Sequence, residues 1–230
     1  MSSASTKPIL LYTWSTPNGY KPSILLEELK AVYPGFDYDW KSIDVWTTNE
    51  QKEPWFLAIN PNGRIPALVD RSRGGFHVFE SAAILYYLER HYDKDHKFAV
   101  DADKDPDAWS EIEQWVAFVH GGINVIQAQA NYFRHSATDK IEYAINRYLN
   151  ETKRLYSVLN TRLEGREYLA GSGKGKYTIA DINAFPLVNV APYSGINSYD
   201  EWPNLKVWLE RIRARPAVQA GLSVPQALSF

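Results

Sequence analysis

Apolar positions divide the chain into two stretches with different periods. The first ninety residues alternate strand-like and helix-like segments. Pro8–Thr13 is a short apolar run that predicts a buried strand, closed by the turn-rich Ser15-Thr16-Pro17-Asn18-Gly19. From Tyr20 the residues Ile24, Leu25, Leu29 and Val32 fall on one face, with Pro22 suited to a first turn, and predict a helix that Pro34-Gly35 stops. A second strand is expected near Asp37–Ile43 and a short helical piece near Lys52–Ile59. The turn Asn60-Pro61-Asn62-Gly63 precedes a strand at Ala67–Asp70, and Arg73-Gly74-Gly75 leads through a hairpin into His77–Phe79. Glu80–His91 then carries Ala83, Ile84, Tyr87 and Leu88 at helical spacing. The order β-α-β-α-β-β-α implies a mixed four-stranded sheet with helices on both faces.

Beyond residue 93 the period is helical. Trp109–Gln129 reads as one long helix and Ile141–Leu163 as another, with Leu149, Leu155, Leu159 and Leu163 on one face. Thr178-Ile179-Ala180-Asp181 has the spacing of a capping box at the start of a third, and a fourth runs from Pro203 to Ala214, ended by Arg215-Pro216. The fold class expected is α+β: an α/β domain over residues 1–93, a charged linker over 94–105, and an all-helical domain over 106–230.

Composition narrows the chemistry. Hydrophobic content of 45% and charged content of 23% are those of an ordinary globular protein. A net charge of -2 with no basic run argues against nucleic acid as a partner. The short polar start, Met1–Lys7, has no signal-peptide pattern, and no apolar run approaches the roughly 18 residues of a membrane span. A cytoplasmic protein is expected. The chain has no cysteine, which removes disulfides, thiolate metal sites and any cysteine nucleophile. Thiol chemistry here would need a sulfur from the ligand. The five histidines are scattered, so no metal site is expected.

Four motifs fall into one frame: Thr16-Pro17-Asn18-Gly19 after the first strand, Arg64-Ile65-Pro66-Ala67-Leu68 after a turn, Glu80-Ser81 opening a helix, and the Thr178–Asp181 cap. Together they make the chain resemble the cytosolic glutathione transferases over residues 8 to 220, and within them the Nu class and fungal proteins similar to the yeast nitrogen-catabolite regulator. Asn146-Arg147-Tyr148 carries part of that second likeness. The resemblance implies a thioredoxin-like first domain, glutathione as co-substrate, a homodimer, and a cis bond at Ile65-Pro66 that presents the Ile65 backbone to an extended ligand.

Each implied site has its own physical reason and its plainer alternative. At Glu80-Ser81 a helix N-terminus and a hydroxyl suit the γ-glutamyl carboxylate, and Glu80 suits the ammonium; a simple cap with a solvated Glu has the same spelling. Asn18 and Thr16 are the candidates for stabilising a thiolate, since a free thiol ionises near pKa 8.5 and a donor aimed at sulfur favours the charged form. Pro-Asn-Gly is also ordinary turn chemistry. Ser15 is the third candidate, and the residues alone leave open which hydroxyl faces sulfur; Tyr12 reads as core. Gln51 and its rival Lys52 are placed by the resemblance at the glycyl end, with Arg64 beside Ile65 and Pro66. Arg147 is either a ligand contact or a structural ion pair. Trp14, Trp115, Tyr132 and Phe133 are candidates for an apolar electrophile pocket. The expected activity is glutathione transfer or glutathione-dependent disulfide reduction; the alternatives are a carrier of conjugates or aromatic metabolites, and a regulatory glutathione-binding protein.

Overall fold

The computed structural model describes residues 7–227. They form two compact units: residues 7–94 together with 215–227, and residues 95–214.

The first unit is built on a four-stranded sheet of order β2-β1-β3-β4. Its strands are β1 (Ile9–Thr13), β2 (Tyr38–Ser42), β3 (Ala67–Asp70) and β4 (Phe76–Phe79). β1 runs parallel to β2 and antiparallel to β3, and β3 is antiparallel to β4. Central β1 is covered on both faces, which is why Ile9 and Leu11 are fully buried and the strand reads as an apolar run rather than an alternation.

Helix α1 (Pro17–Val32) begins three residues before the position that its apolar face suggests. Thr16 supplies the reason. Its backbone is extended and its Oγ1 accepts the Gly19 N–H at 3.1 Å, while Pro17 fills the first helical position. Pro22 therefore lies inside the helix. Lacking an N–H, it leaves the Asn18 carbonyl without the usual partner four residues on. Gly19 is required by crowding: a Cβ there would sit 2.1 Å from the Trp14 carbonyl oxygen and 2.7 Å from Thr13 Oγ1.

Short α2 (Pro54–Leu57) follows a 3-10 turn at Glu50–Lys52, and α3 (Ser81–Tyr92) follows β4. The unit is completed from far along the chain by α9 (Pro216–Gly221). Arg215 donates twice to the Glu28 carboxylate, at 2.6 and 2.8 Å, and Ser23 Oγ donates to the Gly221 carbonyl at 2.8 Å. The all-helical domain was expected to run to residue 230. The described residues from 215 pack instead with the α/β unit, because Gly221 has no side chain to hold α9 away from Ile24.

The second unit contains α4 (Pro106–Phe118), α5 (Asn124–Asn131), α6 (Glu142–Arg162), α7 (Ile179–Asn189) and α8 (Pro203–Arg213). The helix expected over Trp109–Gln129 is interrupted by a π-helical turn at Val119–Ile123, where Gly121-Gly122 weakens the ordinary ladder. The capping box at Thr178 is present in full. Its Asp181 is wholly buried and accepts from Thr178 N–H, Leu169 N–H and Trp208 Nε1–H at 3.0, 3.0 and 2.8 Å. The stretch expected as a linker is packed here too. Phe98 and Ala99 are buried, and the Phe98 carbonyl accepts the Ile179 N–H at 2.8 Å. Among the described residues no helix is long and apolar enough to cross a membrane.

Candidate functional site

Two helix N-termini meet in the first unit. α1 begins at the end of β1, and α3 begins at the end of β4. The hydroxyl of Ser81, the first residue of α3, reaches the Asn18 Oδ1 at 3.4 Å. With its oxygen so engaged, Asn18 keeps Nδ2 as a free-facing donor. Thr16 keeps a donor as well: capping Gly19 uses a lone pair of Oγ1 and leaves its proton available. Both residues line a cavity of about 360 Å³, within the usual range of small-ligand sites, roughly 300–1,000 Å³.

The opposite wall comes from two loops. Gln51, Lys52, Gly63, Arg64 and Ile65 line it, with Val45 and Trp46 at the side. Gln51 is buried; its Nε2 donates to Asn49 Oδ1 at 3.3 Å, and its Oε1 has no hydrogen-bond partner. Lys52 spans toward the other loop, its amine donating to the Asn62 carbonyl at 3.4 Å. The Ile65–Pro66 peptide is cis. The loop before it is organised by Asn60, which is buried, donates to the Arg64 carbonyl at 2.6 Å, and accepts the Asn62 N–H at 3.0 Å. The tetrapeptide was expected as a turn. That its first side chain ties the loop to Arg64 is an Asx pattern that the spelling Asn-Pro-Asn allows. Val45 and Trp46 carry no comparable signal; an Asx turn at Asp44, accepting Trp46 N–H at 2.8 Å and Thr47 N–H at 3.0 Å, places them.

Glu80 precedes α3 at φ 70, ψ 119, a backbone region that a residue with a Cβ enters at a cost. It gives α3 no side-chain cap, so the first-turn N–H groups depend on other partners. Ser15 is placed differently from the other candidates. It is buried and donates to the Gln226 carbonyl at 2.7 Å, a bond that Tyr20 joins at 3.0 Å, and it does not border the cavity. Tyr12 packs between Trp55 and Phe56, with ring centroids 5.7 and 5.9 Å away, and burial pushes its phenol up from its ordinary value. It stays protonated in the core.

The remaining candidates are dispersed. Trp14 is half-buried at the end of β1. Trp115 stacks edge-on with Phe118 and lies under Arg162, whereas Tyr132 and Phe133 form a separate group with Tyr148, which is parallel to Phe133 at 5.5 Å. Arg147 stands on the exposed face of α6, bordering a surface groove of about 730 Å³ with Tyr143 and Asn146. Among the described residues no group of three or more His, Cys, Asp or Glu side chains is placed to hold a metal ion.

A thioredoxin-like sheet carrying a ligand cavity between a capped helix start and a cis-proline loop, in a chain whose other unit is all helical, defines the class of the glutathione transferases. The comparisons place the chain within it. The family described as Glutathione S-transferase, N-terminal domain, matches residues 7–90, and Glutathione S-transferase, C-terminal domain, matches residues 125–216. The chain is 40% identical to the disulfide-bond oxidoreductase YfcG of Escherichia coli, over 92% of this chain and 93% of that one. It is 36% identical to glutathione S-transferase 2 of Schizosaccharomyces pombe, over 89% and 90%. A crystal structure of a glutathione transferase homologue from Lodderomyces elongisporus, with two glutathiones per subunit, superposes with a TM-score of 0.86 at 38% identity, over 95% of this chain and 99% of that one. The protein belongs to the glutathione S-transferase family, in the group similar to the Nu class and the yeast Ure2 proteins.

Proposed function

We propose that the protein binds glutathione in the cavity at the start of α1 and activates its thiol with Asn18 Nδ2 and the Thr16 hydroxyl. The observation that carries this is the Ser81–Asn18 bond, which joins the two helix starts and turns the amide donor away from its own partner. In this reading Ser81 and Glu80 meet the γ-glutamyl end, Ile65 the cysteinyl backbone, and Gln51, Lys52 and Arg64 the glycyl carboxylate. That these three side chains line one wall of the cavity supports the placement. Ser15 has no part in it, and Arg147 is a contact only for a second ligand.

The chain has no cysteine, so both sulfurs of a thiol–disulfide exchange come from ligands. A bound glutathione thiolate attacks one sulfur of a disulfide; the S–S bond breaks and the other sulfur leaves as thiolate and takes a proton. A second glutathione thiolate then attacks the glutathione sulfur of the mixed disulfide, giving glutathione disulfide and the second reduced thiol. The same thiolate adds to an apolar electrophile in the transferase reaction, where proximity supplies much of the rate. The name of the Escherichia coli relative and the two glutathiones in the Lodderomyces structure favour disulfide reduction. A homodimer in the cytoplasm, where glutathione is kept reduced, completes the reading.

The test is glutathione-dependent turnover of an aryl halide and of hydroxyethyl disulfide, measured in parallel. Turnover of the disulfide, faster than of the halide, is expected. Glutathione binding with neither substrate consumed would replace the enzyme by a carrier or regulator, and no binding would overturn the assignment of the site. Sedimentation checks the dimer.

A further inference from the structure

One turn beyond Asn18 stands Lys21, fully buried, with no hydrogen-bond partner for its Nζ among the described residues. Lysine is almost never buried completely unless paired. Positions 18 and 21 are three apart on α1 and so share a face. The start of α3 lies across from them, and its two successive residues divide between the two positions: Ser81 bonds Asn18, and the carboxylate of Glu80 is the charge that acts on Lys21.

The other charged groups around α1 are occupied or remote. Glu27 accepts the Tyr38 hydroxyl, Glu28 is held by Arg215, and Lys30 pairs with Asp37. β1 and α9 carry no charge, and Glu89, Arg90 and His91 sit at the far end of α3. Among the described residues Glu80 is the charge that bears on the amine, and Glu80 is itself held at a strained positive φ. A buried amine without a bond and a strained carboxylate thus coincide at one corner of the contact between α1 and α3.

We propose that Lys21 is a positioning residue, the resident counter-cation of Glu80, and that a ligand α-ammonium displaces its charge. Before binding, the Lys21 ammonium is the counter-charge to the Glu80 carboxylate. An arriving ammonium takes over the carboxylate; Lys21, shut off from water, then loses its proton to solvent. One cation replaces another, so the corner keeps its net charge while one proton leaves. Burial brings the Lys21 amine down to about 7, which lets that proton go at neutral pH. The inference rests on the reading above that Glu80 meets the γ-glutamyl ammonium.

The probe is S-hexylglutathione, which has the ammonium but no thiol to release a proton of its own. Calorimetric titration of the whole protein in buffers of differing ionisation enthalpy reads protons released on binding. Wild type is expected to release about half a proton near pH 7 and to bind about eightfold more tightly at about pH 7.5 than at about pH 6. Lys21→Met should bind with no release and a flat pH profile, and Lys21→Arg, which cannot shed its charge, should bind weakly throughout. The analogue lacking the α-amino group should bind wild type without releasing a proton, an arm that needs no variant. Binding to wild type without proton release, or the same release from Lys21→Met, overturns the proposal. Failure of wild type to bind the probe at all overturns the glutathione site itself, and the two failures are distinct.

Discussion

Ser81 Oγ lies 3.4 Å from Asn18 Oδ1, across 63 residues of chain, so the residue proposed to face sulfur is oriented by the residue proposed to hold the other end of the ligand. Removing either should have different consequences. Asn18→Ala deletes the donor and should raise the bound thiol pKa by about one to two units, lowering kcat roughly ten- to hundredfold with little change in KM. Ser81→Ala should act mainly on KM. Ultraviolet titration of the bound thiolate, together with steady-state kinetics, separates the two.

Lys21 should cost the protein stability. Its amine is brought down to about 7 in the fold and returns to its ordinary value, 10.5, when unfolded. Between those values the unfolded chain binds more protons, so stability rises with pH across that window; below about 7 the penalty is complete. Lys21→Met should therefore be more stable than wild type by about 1–4 kcal/mol at neutral pH and lower, and the gap should close toward pH 10. Urea unfolding at several pH values checks this.

Asp181 should be the most sensitive polar position of the helical unit. Asp181→Ala strands the N–H groups of Thr178, Leu169 and Trp208, a loss of about 3–5 kcal/mol in urea unfolding. Burial nevertheless holds its carboxyl up at about 6. The folded form then binds the extra proton between about pH 4 and 6, so this group's contribution to stability falls as pH rises through that range. Asp181→Asn should remove that slope.

Gly221→Val places a Cβ 2.6 Å from the Ile24 Cα and 2.7 Å from its backbone N, so that backbone would have to yield. The expected result is displacement of α9, a loss of about 1–3 kcal/mol, and faster proteolysis within residues 216–227. Limited digestion with mass spectrometry locates the cut.

What the sequence disclosed follows the range of each interaction. The Thr178–Asp181 cap is local, and its spacing was enough. β3 was placed at its observed ends because a turn and a hairpin bracket it. The start of α1 was misplaced by a rival signal of equal strength: Pro17 and Pro22 both suit a first turn, and only the Thr16–Gly19 bond chooses between them. Ser15 is held by a carbonyl 211 residues away, and no local pattern contains that. Lys21 has the spelling of a surface residue; its burial is made by packing on other elements.

The return of residues 215–227 to the α/β unit bears on synthesis. The strands and the ligand loops leave the ribosome first, yet Ser23, Glu28 and Ser15 wait for partners at 221, 215 and 226. At roughly 5–20 residues per second, the intervening 95–214 segment takes on the order of ten seconds to make. The half of the protein that begins first is therefore the half that finishes last, and during that interval the face of α1 reserved for α9 stands open to chaperones.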